Sequence, residues 1–185
     1  MPLSTPSSDR QLIHHRRIDC KGYQREDGLW DIEGHLVDVK TYDIDNFDRG
    51  TVRAGEPVHD MWLRITLDED FLIHEAEAVT DASPYSVCPA ITENFRKLKG
   101  VQIKPGWRKA VNKLFGGTSG CTHLVELLNP LATAAFQSMY LIKAREIHSS
   151  HPDKKPFLLD TCHAFARNSP VVKRQWPEYY KVEDE

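Results

Sequence analysis

Between Gly116 and Leu128 the chain reads GGTSGCTHLVELL, which delivers Cys121 and His123 to the start of an apolar helical pattern. Unpaired N–H groups and a partial positive charge gather at a helix N-terminus, so an anion or developing oxyanion is at home there. A thiol so placed ionises more readily, which makes Cys121 a candidate nucleophile. The same helix end favours the neutral form of His123 and suits it to act as a base.

Two further histidines lie in extended-looking segments. His35 follows Asp31 and Glu33 at alternate positions, and His59 heads an otherwise apolar face and is followed by Asp60. Histidine titrates near neutral pH and can both take and give a proton. His35, His59, His123 and Cys121 are therefore the candidate catalytic residues. Around them, Arg16 would anchor a carboxylate, Tyr23 would supply a phenolic acid, and Asp31, Glu33, Asp60 and Ser119 would complete substrate binding. The expectation is that the imidazoles converge on one hollow and that Ser119 to Cys121 stabilises an oxyanion.

Cysteine and histidine also suit zinc, and Cys121, His123, Cys162, His163, His35 and His59 are the set to weigh. Their spacing is unhelpful. Residues two apart on a helix point to nearly opposite sides, and Cys162 and His163, adjacent on a strand, would face opposite ways. His123 and Glu126 share a helix face but lack the second histidine of the zincin pattern, position 127 being Leu. The reading assigns no metal ligand and no cofactor, with zinc left open. The G-x-S-x-G elbow is also absent.

The elements that must position these residues follow from periodicity. Asp27-Gly28 is a strong hairpin signal and, as a two-residue turn, would set Cys20 opposite His35 and Ile18 opposite Val37. Asp31, Glu33, His35, Val37 and Val39 then share one face, as if walling a pocket that becomes core at one end. Residues 42–55 look like a loop. Val58 to Leu67 alternates as a strand, and Phe71 to Thr80 forms a fourth whose register is open by one residue. Pro89 to Gly100 reads as a helix with Ile91, Phe95 and Leu98 inward, and Trp107, Val111 and Leu114 repeat that spacing. Leu124 to Ala144 is helical, with Asn129-Pro130 a kink or a restart. Residues 148–156 read as a polar connection, and LLDTCHAF as a short apolar piece.

Strands first and helices after make an α+β fold: a curved antiparallel sheet of about four strands packed on a long C-terminal-half helix, with shorter helices beside it. The expected organisation is a flexible tail over 1–10, one domain over 11–177 and an acidic tail over 178–185. Lys plus Arg is 24 against 27 for Asp plus Glu, a net charge of -3 that argues against general nucleic-acid binding. No apolar run reaches membrane-spanning length, and the N-terminus has no leader pattern. A reduced, cytoplasmic protein with free thiols is expected, acting on a small molecule, with a homodimer left open.

Four phrases, GYQREDGLWDIEGHLVDVK, AGEPVHDMWLRIT, GGTSGCTHLVELL and LLDTCHAF, together resemble the bacterial family catalogued as domain of unknown function 2889. The resemblance runs over roughly residues 11–177 and implies a stand-alone domain; it brings no activity, cofactor or catalytic residue. From the residues, the expected function is a cofactor-independent acid/base lyase (retro-aldol, dehydration or decarboxylation) or isomerase acting on an aromatic or carboxylated metabolite. A metal-dependent hydrolase and a non-catalytic ligand-binding or accessory protein are the alternatives.

Overall fold

The strand written as Trp30-Asp-Ile-Glu-Gly-His-Leu-Val-Asp-Val-Lys40 organises the molecule, because its even-numbered positions turn inward. Trp30, Ile32 and Leu36 on that face are buried, and Asp38 continues it. In the computed structural model, which describes residues 3–150 and 155–182, this strand is β2 of a four-stranded antiparallel sheet. Its neighbours are β1 (His14–Gln24) on one side and β5 (Pro57–Leu67) on the other, with β6 (Ile73–Ala82) beyond β5. Residues 42–55, expected as loop, contain a small hairpin of β3 (Ile44–Asn46) and β4 (Gly50–Val52).

The hairpin register differs from expectation by one residue. Cys20 faces Gly34, not His35, and Ile18 faces Leu36, not Val37. The turn is longer than two residues: Arg25 N–H donates to the Leu29 carbonyl at 2.9 Å, and Gly28, at φ +84°, closes a turn on the Arg25 carbonyl. This is a three-residue loop, a type I turn followed by a left-handed residue that only glycine adopts without strain. The slip transfers Arg16 and Cys20 to the inward face.

Helices cover that face. Cys88–Leu98 winds as a 3-10 helix with Phe95 and Leu98 buried, α1 spans Trp107–Phe115, and α2 spans Thr122–Ser150. Pro130 lies within α2, where it cannot supply the N–H that the Glu126 carbonyl would accept. Leu124, Leu127, Leu128, Leu131, Ala135 and Met139 of α2 join Ile32, Leu36, Met61, Leu63, Ile65 and Leu67 of the sheet in one core. Glycine lets the layers touch: a Cβ on Gly34 would lie 3.2 Å from Leu131, and one on Gly22 would lie 2.8 Å from the Ser138 Cβ.

The chain divides into two compact units, Met1–Leu141 and Ile142–Glu185. The second holds α3 (Pro170–Gln175), capped by Ser169, whose hydroxyl accepts from Val172 N–H at 3.2 Å. The strand expected around Cys162-His163 is replaced by turns and a 3-10 helix over His163–Phe165, so the argument from alternate strand faces does not apply there. Residues 151–154 of the expected polar connection and 183–185 of the acidic tail lie outside the described residues. Among the described residues, no helix is long and apolar enough to cross a membrane.

Candidate functional site

At the end of the inward face where β1, β2, β5 and the start of α2 meet, a carboxylate replaces the hydrocarbon core. Asp38 is 2% exposed. Its direct cross-strand neighbours are Arg16 on β1 and His59 on β5, and opposed residues of an antiparallel pair share a face. A register shift between β2 and β5 falls immediately after Asp38, a bulge of the kind that re-aims side chains at strand ends.

Arg16 grips both carboxylate oxygens, Nε to Oδ1 and Nη2 to Oδ2, each at 2.8 Å, a bidentate fork. The same guanidinium reaches Glu126 of α2 through Nη1. His59 Nδ1 lies 3.1 Å from Asp38 Oδ2, His123 Nε2 3.8 Å from the same oxygen, and His14 Nε2 3.3 Å from Oδ1. The His59 and His123 rings stack, centroids 3.7 Å apart and planes at 29°. Cys121 Sγ sits 3.9 Å from His123 Nδ1 and 4.0 Å from Met61 Sδ.

Charge states follow from this packing. Burial pushes the Asp38 carboxyl up, but the Arg16 hydrogen bonds and charge, with His59 and His14, outweigh it and hold it below the usual carboxylate range. Burial, then the neighbouring His123 and Arg16, lower His59 to about 4 against the pull of Asp38. Burial and Arg16 also lower His123. Both imidazoles are thus neutral at pH 7. A carboxylate can only accept, so the His59 proton sits on Nδ1 and its Nε2 presents a lone pair. Among the described residues that Nε2 has no hydrogen-bond partner, and the His59 side chain keeps 13% of its surface in solvent.

The fold therefore brings together His59, His123, Cys121 and Arg16 of the expected set. It does not bring His35. That ring lies on the opposite face of the sheet, bonded through Nε2 to Asp60 Oδ1 at 2.6 Å and stacked on Trp62 at 3.6 Å. Its face is a half-exposed array of ion pairs that gives way to buried Val37 at one end, as expected, and the charged stretch lies in the surface rather than walling a pocket. Asp31 accepts from the Thr66 hydroxyl at 2.6 Å, Glu33 pairs with Arg64 at 3.8 Å, and Tyr23 is 46% exposed beside Asp31. Ser119 is exposed, and its N–H donates to the Gly116 carbonyl, so it is not offered to an oxyanion. The Val125 N–H is the first to find a helical acceptor, the Cys121 carbonyl, leaving the first-turn N–H groups of α2 as the local donors. The glycines before them serve the turn itself: a Cβ on Gly116 or Gly120 would collide with the Asn112 or Phe115 carbonyl, and Gly117 takes a left-handed φ of +61°. Cys162 and His163 belong to the second unit and are exposed.

Asp38 and His14 were missed in the sequence. The signal for Asp38 was present: Trp30, Ile32 and Leu36 mark the core face by alternation, and an acid at the next position must find a partner. The largest hollow described, about 770 Å³, is lined by Phe71, Trp107, Asn129 and Phe136 among others and by none of the cluster residues.

Comparison with curated proteins and comparison with solved structures each found no match. A family model described as a protein of unknown function, DUF2889, matches residues 14–137, a span containing every residue of the Asp38 cluster, and the chain belongs to that family.

Proposed function

We propose that this protein is a small-molecule enzyme whose reactive centre is the Asp38–His59–His123 cluster, acting as an acid/base lyase or isomerase. The observation that carries the reading is the Asp38–His59 pair, in which a buried carboxylate fixed by Arg16 orients a neutral imidazole at 3.1 Å. An Asp-oriented imidazole with an open Nε2 is the arrangement that general bases use. His59 would remove a proton from carbon or hydroxyl. His123, stacked on it, and the N–H groups at the start of α2 would lie beside the developing negative charge. The substrate class that fits is an organic metabolite carrying an acidic proton next to a carbonyl or carboxylate. A reducing, cytoplasmic setting belongs to the same reading, supported by four free cysteines.

The test is a panel of hydroxy-carbonyl and aromatic carboxylated compounds incubated with the full chain in D₂O and EDTA, read by mass spectrometry. Turnover with deuterium placed on one carbon of product or recovered substrate is expected. His59→Gln should lower the rate by about 10²-fold or more, the usual share of a general base. Full activity in that variant overturns the assignment.

A further inference from the structure

We propose that Asp38, His59 and His123 form a binding site for one divalent transition-metal ion of the zinc class, an inhibitory occupant of the proton-transfer centre. The inhibitory role rests on the proposed function; the site itself does not. Asp38 Oδ2 lies 3.1 Å from His59 Nδ1 and 3.8 Å from His123 Nε2, and one donor atom from each of the three residues falls within 4.8 Å of the other two. Tetrahedral zinc holds nitrogen and oxygen ligands at about 2.0–2.1 Å, which sets those ligands about 3.3 Å apart. The donor atoms need shifts of roughly an ångström or less to reach that spacing, and the stacked His59 and His123 rings, centroids 3.7 Å apart, must open for both nitrogens to face one ion.

The donor chemistry narrows the ion. Two imidazoles and one carboxylate suit zinc, cobalt or iron, whereas calcium and magnesium want oxygen alone. The ligands come from β2, β5 and the first turn of α2, so strands and helix fix their relative positions. Arg16 does not forbid the ion. Its Nε bond to Oδ1 and its contact with Glu126 leave Oδ2 the only oxygen it must share. It would then hold the carboxylate from behind, as outer-shell partners of metal ligands do. His14 Nε2, 3.3 Å from Oδ1, and a solvent molecule are the available completions of the coordination sphere.

Occupancy would coordinate His59 through Nδ1 and shift its proton to Nε2, removing the lone pair that the base needs. The metal-bound and base-competent forms are thus alternative states of one cluster.

The experiment is calorimetric titration of the EDTA-stripped, dialysed full chain with ZnCl₂. One ion per chain is expected, with affinity lowered at least 10-fold in Asp38→Asn, His59→Gln and His123→Gln. His35→Gln, which removes an Asp-paired histidine on the opposite face of the sheet, should bind as the parent does. Because the cluster variants could lose the fold, the unaltered chain is also loaded with Co²⁺, whose visible spectrum reports tetrahedral coordination. No saturable binding, a featureless cobalt spectrum, or affinity indifferent to all three substitutions overturns the site. Zinc binding with unchanged turnover overturns the inhibitory role. Turnover in EDTA that survives His59→Gln instead refutes the base assignment and leaves the metal site standing.

Discussion

Replacing Asp38 by Asn keeps the volume of a side chain that is 2% exposed and removes its charge. The amide offers one accepting oxygen where the carboxylate offered two, so at most one prong of the Arg16 fork survives, and the NH₂ group is set against a second donor. Removing one partner of a buried ion pair costs about 3–5 kcal/mol. The Arg16 side chain, 31% exposed, retains Glu126 and water, which places the expected loss near the lower end, about 3 kcal/mol. In a chain of this length that corresponds to a fall in Tm of roughly 6–12 °C.

The decisive form is a double-mutant cycle with Arg16→Met, measured by urea unfolding at pH 7 in EDTA and followed by circular dichroism. Arg16→Met alone strands the carboxylate and should cost as much as Asp38→Asn. Once either partner is gone, the second substitution has little left to break. The double variant should therefore be more stable than the sum of the singles implies by about 2–3 kcal/mol, the upper range for contacting residues. Costs that add to within about 0.5 kcal/mol would refute the fork as a coupled unit, and with it the account of how His59 is oriented.

Acid should destabilise the protein through His59. Its pKa is about 4 folded against 6.5 unfolded, so the unfolded chain binds the proton first. The stability it contributes is complete above pH 6.5 and lost as pH falls through about 4, a swing of about 3 kcal/mol. Urea midpoints from pH 7 to 4 should therefore fall less steeply in His59→Phe than in the parent; equal slopes contradict the assignment. His35→Ala should cost about 1 kcal/mol, from the Trp62 stack and the Asp60 bond, while leaving turnover unchanged. A loss of turnover there would return His35 to the active centre. Gly22→Ala forces a methyl into Ser138 and should cost about 1–3 kcal/mol in thermal unfolding, partly relieved by Ser138→Gly. No relief would mean that β1 and α2 are not packed at that point.

Elements with a clean period were legible in the chain. Met61, Leu63, Ile65 and Leu67 alternate as a strand must, and Trp107 with Val111 marks the buried stripe of α1. Register was not legible, because Glu26-Asp27-Gly28 satisfies both a two-residue turn and a three-residue one. The choice depends on whether Gly28 alone or its neighbour too takes a positive φ, and only Gly28 does. That single residue decided whether Arg16 met Asp38 or the outer face. The outer face misled for a physical reason: Asp31, Glu33 and His35 look purposeful in isolation, but their partners Thr66, Arg64 and Asp60 lie on a strand some thirty residues away and make them a solvated ion-pair surface. His59 and His123 were found by type, yet their meeting depends on sheet order and helix placement, which spacing does not encode.

The Asp38–Arg16 pair is more than stability requires. Burying two charges is expensive, and apolar residues of similar volume often serve a core as well or better. This end of the inward face could have continued with the hydrocarbon that fills Ile32, Leu36 and Met61. What an apolar pair cannot do is fix which nitrogen of a neighbouring imidazole holds the proton. A carboxylate whose two oxygens are both clamped by one guanidinium cannot rotate, so the acceptor facing His59 Nδ1 stays in place, and the lone pair on Nε2 keeps one direction. Under the proposed function, the cost of charge at this position is matched by control over a proton, which is the property a base or a metal ligand needs and a core does not.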